Sequence, residues 1–249
     1  MSMKKLFPVV LLILGIFVAI GVFFLMKNKN AKAPEGLDTD TEESVAEVSL
    51  DKRPLVSLTP TSDGHYLKLE IKKILIDAAT LDYELTYKVP DGRTQGVPGT
   101  VKLTTKDDIT KQLLLGSESS GKFRYDEGVE TGQLVMRFRD ANGKLLAKFS
   151  TDFNLVAPGK DIISPDSVFK LTLNKPATKT YFVVMDTIGY PSSEKFSDSA
   201  KFYGLFSSDD KKYAGNVEVA GSSKIQYWDG SAWSGEFESV GSGVFTSVM

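Results

Sequence analysis

The pattern of apolar positions divides the chain into two regimes. Leu6–Met26 is a run of 21 residues without a charge, 18 of them apolar, interrupted only by Pro8, Gly15 and Gly21. At 1.5 Å per residue a helix over that run is about 31 Å long, which matches the hydrocarbon core of a bilayer. Pro8 falls in the first turn, where its missing N–H costs least. The run predicts a single transmembrane helix. A cleaved secretory signal has a shorter apolar region, roughly 7–15 residues, followed at once by a small-x-small site. Here lysines separate the run from Ala31-Lys32-Ala33, so the expectation is an uncleaved signal-anchor. Gly15 and Ala19 form one small-xxx-small pair, too little to predict pairing of anchors.

From Leu50 onward the dominant period is two. Leu81, Tyr83, Leu85, Tyr87 and Val89 alternate with Asp82, Glu84, Thr86 and Lys88, which places one face in a core and the other in water. Leu67, Leu69 and Ile71 repeat the pattern. The phase slips at Lys72-Lys73 before Ile74 and Ile76 resume it, as a β-bulge would cause. Gln133–Arg139 and Lys144–Asp152 predict a hairpin closed by Asp140-Ala141-Asn142-Gly143. Further strands are expected at 98–104, 111–116 and 121–126. Asp107–Leu115 and Ser193–Phe202 are the only short helix candidates.

Strand density over 52–156 suggests an antiparallel β-sandwich of immunoglobulin-like size, although the Cys…Trp…Cys hallmark is absent. Val156-Ala157-Pro158-Gly159-Lys160-Asp161 reads as a boundary. Beyond it, strands are expected at Val168–Leu173, Thr180–Met185, Lys201–Phe206, Asn216–Ala220, Lys224–Trp228, Ala232–Glu238 and Val244–Val248. The expected class is all-β after one transmembrane helix. The layout is a tail at 1–5, a helix at 6–26, a tether at 27–49, a sandwich at 50–157 and a second, smaller β domain at 158–249.

Charge sharpens this layout. The formal net charge of −2 hides five lysines and no acid over residues 1–32, then six acids and no base over 33–49. Residues 50–249 hold 25 bases and 26 acids. The acidic stretch is poor in large apolar residues and reads as an extended spacer. Its Asp38, Asp40 and Glu42 imitate the opening of a calcium loop, but Glu43 and Ser49 stand where that loop needs glycine and a bidentate glutamate. Lysines flank both ends of the apolar run, so charge alone does not orient it. A long acidic, β-rich, cysteine-free segment suits export, and residues 27–249 are expected outside the cytoplasm. The near-neutral, mildly acidic chain predicts no nucleic-acid partner.

Chemistry-bearing residues are few. There is no cysteine and a single histidine, which excludes disulfides, thiolate metal sites, cysteine nucleophiles and most histidine-rich centres. His65 follows Ser62-Asp63-Gly64 and reads as a turn-flanking residue. Ser119-Ser120-Gly121-Lys122 and Ser192-Ser193-Glu194-Lys195 fit S-x-x-K, but the S-D-N and K-T-G partners are missing. Asp186, Glu194, Asp198, Asp209 and Asp210 could meet around calcium only if their loops converge, and Lys211-Lys212 weaken that site. No catalytic residue, cofactor or metal is expected.

The remaining signal is Ile225–Trp233, which holds both tryptophans. A two-residue turn at Asp229-Gly230 would pair Trp228 with Ser231 and Trp233 with Gln226. The indoles would then be diagonal neighbours on one face, with Ile225, Tyr227 and Ala232 on the other. Tyr227, Trp228 and Trp233 are therefore the candidate ligand contacts, for a glycan or a protein. If the tryptophans are core instead, Tyr227 lies outside. The expected function is a non-enzymatic binding or adhesion module anchored in the bilayer through residues 6–26. The alternative is an accessory subunit of a membrane complex, and a carbohydrate-active enzyme is a third.

Overall fold

The computed structural model describes residue 45 and residues 47–104, 107–191, 194–197 and 199–247. The span Leu6–Met26 and all of the tether before residue 45 lie outside the described residues. Among the described residues no helix is long and apolar enough to cross a membrane.

Among the described residues a single 3-10 turn, Leu50–Lys52, precedes eighteen strands. They are β1 (Leu55–Pro60), β2 (Tyr66–Lys72), β3 (Thr80–Lys88), β4 (Thr94–Lys102), β5 (Ile109–Leu114), β6 (Gly116–Ser119) and β7 (Lys122–Tyr125). There follow β8 (Thr131–Arg139), β9 (Leu145–Val156), β10 (Ile162–Ile163), β11 (Phe169–Leu173), β12 (Phe182–Asp186) and β13 (Phe202–Ser207). The last are β14 (Tyr213–Val219), β15 (Ile225–Trp228), β16 (Trp233–Ser234), β17 (Ser239–Val240) and β18 (Gly243–Ser247). The fold is all-β, in several antiparallel sheets.

One sheet of nine strands, in the order β16-β15-β18-β13-β12-β9-β8-β3-β4, runs through the described protein. A three-stranded sheet, β1-β2-β5, covers one face of its β3-β8-β9 end. Their inward residues (Leu58, Leu69 and Leu113 against Leu85, Met136 and Phe153) form one buried cluster. A four-stranded sheet, β10-β11-β14-β17, covers the β12-β13-β18-β15 end, and there Phe169 and Leu171 meet Val184, Tyr203 and Phe245. Along β12, Val183 and Met185 belong to the first cluster while Phe182 and Val184 belong to the second. This strand is thus buried on both faces, which explains why Phe182–Met185 is continuously apolar rather than alternating. It pairs with β9 through Phe182↔Val156 to Met185↔Phe153, so the sheet is continuous across the linker at 157–158.

Several local expectations are corrected. Lys73 takes a left-handed φ of 57° and ends β2, so the phase slip at Lys72-Lys73 is a strand terminus and not a bulge. Ile74 still turns inward and is buried. Asp107–Leu115 is no helix: β5 pairs with β2 from Tyr66↔Leu114 to Ile71↔Ile109 and buries Leu113. The strand expected at Ala232–Glu238 shrinks to Trp233–Ser234, because the Ser234 hydroxyl bonds the backbone of Glu236 and turns the chain. Ser119-Ser120-Gly121-Lys122 is the β6–β7 turn, with Ser120 and Gly121 at φ 52° and 75°. Two positive φ angles are what a tight right-twisted hairpin demands, and that accounts for the motif without chemistry.

Candidate functional site

The site begins where β9 and β12 part. Beyond Met185 the pairing stops, and the Thr151 hydroxyl donates to the Asp186 carbonyl at 2.6 Å. The chain after β12 turns away and passes beneath the start of β1. Gly189 lies so close there that a methyl group would meet the carbonyls of Arg53 and Pro54 at 2.5 and 2.7 Å. The space opened by this divergence is a cleft of about 700 Å³, within the range of small-ligand sites. Phe149, Ile188 and Phe202 supply apolar wall, and Val45, Glu47 and Val48 border it. Arg53 holds that border in place, donating to the Val48 carbonyl at 2.8 Å and to Glu47 at 3.0 Å.

Two carboxylates on the cleft differ sharply. Asp166, in the β10–β11 turn, accepts from the Ser164 hydroxyl (2.6 Å), the Val168 N–H (3.1 Å), the Tyr203 hydroxyl (3.1 Å) and Lys201 (3.4 Å). Burial alone would raise its pKa, but these donors outweigh it and hold the carboxyl below its ordinary range. Asp186 ends the doubly buried strand. Its Oδ1 is buried and has no hydrogen-bond partner. Burial first, then the negative charge of Asp166 and more weakly that of Asp152, push its pKa up to about 6, while Lys201 opposes them. Burial thus shifts this carboxyl toward neutrality, and its Oδ1 has no donor within the protein.

The residues singled out in the sequence fall one layer away. Trp228 and Trp233 are direct cross-strand partners, not diagonal ones, with centroids 5.6 Å apart. The register differs from expectation because the Asp229 carboxylate accepts from the N–H groups of Ser231 (3.0 Å) and Ala232 (3.3 Å), which widens the turn to four residues. Both indoles are half-buried and rest on an aromatic cluster. Trp233 lies 5.5 Å from Phe196 and 6.1 Å from Phe202, and Phe202 also lines the cleft. Tyr227 points to the opposite face, 3% exposed, and its hydroxyl accepts the Gly241 N–H at 3.1 Å. Of the three, only the indoles present surface.

Of the five acids, Asp198 lies outside the described residues, and Asp186 and Asp209 do not converge. Asp186 ends β12, whereas Asp209 lies beyond that strand's other end, bonded to Thr180 and Tyr213 at 3.1 and 2.9 Å. Among the described residues no group of three or more acids and histidines could hold a metal ion. His65 stacks on Tyr125 at 3.9 Å, and its Nδ1 lies 3.2 Å from the Asp63 carboxylate. Sequence reasoning named Asp186 only as one loop acid among five. The available signal was its position, an acid closing an uninterrupted apolar strand.

No family model, curated protein or solved structure matches the chain. What defines it is the all-β architecture and the cleft at the β9–β12 parting.

Proposed function

We propose that this chain is a membrane-anchored, extracytoplasmic protein that works by binding rather than by covalent chemistry, with the cleft beside Asp186 as its ligand site. In this reading Leu6–Met26 anchors the chain and the acidic tether spaces it from the bilayer. An immunoglobulin-sized sandwich and a smaller β domain carry the binding surface. One observation carries the site: Asp186, whose buried Oδ1 has no hydrogen-bond partner, belongs to the lining of a cavity large enough for a ligand. Such an oxygen costs stability in the free protein, and a donor on a bound ligand relieves that cost. Asp166 already accepts four bonds, so the neighbouring carboxylate is poorly disposed to serve as nucleophile or base, which speaks against glycoside hydrolysis. The indole pair supports the cleft from behind through Phe202.

The test titrates the full chain in detergent micelles with N-acetyl-lysine methylamide and, separately, with neutral sugars, read by NMR. Shifts should centre on Thr151, Asp186 and Phe202 with the cationic probe. Shifts centred on Trp228 and Trp233 with the sugars, and none in the cleft, would overturn the assignment. Protease treatment of intact cells tests the topology: digestion of residues 50–249 is expected, and their protection refutes it.

A further inference from the structure

The cleft has a feature that its volume alone does not convey. Every residue from Ala147 to Asp152 lines it, odd and even positions alike. Successive residues of a strand point to opposite faces of a sheet, so a cavity on one face is lined by every second residue. Continuous lining means that the cavity runs along the strand's edge. The pairing agrees, because Leu145 and Ala147–Asp152 pair with β8 alone among the described strands, whereas Phe153–Val156 pair with β12. Alternate N–H and C=O groups of this segment therefore face the cleft. The six lining residues extend about 20 Å, enough for a five- or six-residue strand.

The lane beside β9 is the one β12 occupies further along, and it ends at Asp186. Its charged groups mostly have partners within the protein. Arg53 is bonded to Glu47, Lys201 to Asp166, and Asp152 accepts from Gln133 at 2.9 Å. Asp186 is the exception: its buried Oδ1 lacks any donor, and the negative charges of Asp166 and Asp152 act on it against the opposing charge of Lys201. Apolar side chains of an incoming strand would meet Phe149 and Ile188 on the walls.

We infer that the open edge of β9 takes an extended peptide of a protein partner as an added strand, with a lysine or arginine of that peptide reaching Asp186. The inference rests on the cleft being the binding site and names the chemistry of what enters it. Backbone pairing supplies affinity, and the acid at the end of the lane sets the register and selects a basic side chain.

The experiment selects from a random dodecapeptide display library on the full chain in detergent micelles, then synthesises the enriched peptides. Enriched sequences should share a lysine or arginine at one position beside β-branched or aromatic residues. Asp186→Asn should weaken them by about tenfold or more, the value of a charge-assisted bond. N-methylation of the peptide gives a readout that leaves the protein untouched. Methylating one alternate set of amides should weaken binding about tenfold or more, and methylating the other set should change it little. Equal sensitivity of both sets, or of neither, overturns strand addition. Enrichment without a basic residue overturns the role of Asp186. If no peptide is enriched while N-acetyl-lysine methylamide still shifts Asp186, strand addition fails and the ligand site stands. If neither binds, both fail.

Discussion

Thr151 donates its hydroxyl to the backbone carbonyl of Asp186 at 2.6 Å, and this bond sits at the point where two strands of the continuous sheet separate. It satisfies a carbonyl that would otherwise lose its ladder partner inside the protein. Thr151 is 6% exposed, so water does not substitute for it readily.

Thr151→Val keeps the shape and removes the donor. The variant should lose about 1–3 kcal/mol of stability in urea unfolding, the cost of a buried polar group left unpaired. Thr151→Ser should retain most of the stability. Equal loss in both variants would mean that the methyl packing, not the bond, matters there.

The Asp186 carboxyl loses its proton at about pH 6 in the fold and near pH 4 in the unfolded chain, by the ordinary value for aspartate. The folded form therefore holds that proton more tightly. Its contribution to stability declines as pH rises from about 4 to 6 and is least favourable above that window. Asp186→Asn removes the titration. The variant should be more stable than the wild type at pH 7.5, with the difference closing towards pH 4, as measured by urea unfolding at several pH values. The groups facing Asp186 are Asp166, Asp152 and Lys201, and Asp166→Asn should lower the apparent pKa of Asp186 in a 13C NMR titration. A pH-independent difference between the wild type and Asp186→Asn would contradict the burial of this carboxylate.

Gly189→Ala tests the backbone crossing that opens the cleft. The added methyl would press on two main-chain carbonyls, Arg53 O and Pro54 O, which cannot rotate aside as a side chain could. A loss of about 1–3 kcal/mol is expected, in the range for overpacked interiors. Backbone NMR shifts should spread from Arg53 to Ile188. A neutral substitution would show that the two segments slide apart freely.

Trp233→Ala removes an indole that packs on Phe196 and Phe202 and faces Trp228 across the strands. The ring is half-buried, so the expected loss of about 1–3 kcal/mol falls below that for a fully buried aromatic. Because Phe202 also lines the cleft, the variant should weaken binding of the cationic probe as well. Unchanged stability would make the indoles a surface feature with no supporting role.

Much of the local architecture was legible in the chain. Alternation in Leu81–Val89 marked β3, and Leu67, Leu69 and Ile71 do line the core as their period requires. The hairpin at Asp140–Lys144 forms with Gly143 at φ 83°, and the Asp140 carboxylate accepts the N–H groups of Asn142 and Lys144. Short strands such as β10 and β17 carry too few residues to show a period. The tryptophan register was missed because a single acceptor, the Asp229 carboxylate, favours a four-residue turn over the two-residue turn that Asp-Gly suggests. At the cleft, Asp186 carried a faint sequence signal, while Thr151, Asp166 and Gly189 carried none that points to one another.

What the sequence determines by itself is therefore what depends on neighbours along the chain: strand periods, turn residues, and the division into an apolar run, an acidic stretch and a β-rich remainder. Which strands meet is a different matter. Val156 and Phe182 pair across 25 intervening residues, and Thr151 finds Asp186 across 34. A strand's period states which side chains face inward but not what lies beside its edge, since backbone donors and acceptors are alike at every residue. Only the tertiary structure decided that β12 stops short of β9's full length. Among the described residues that mismatch leaves the β9 edge unpaired beside a cleft that Asp186 helps to line.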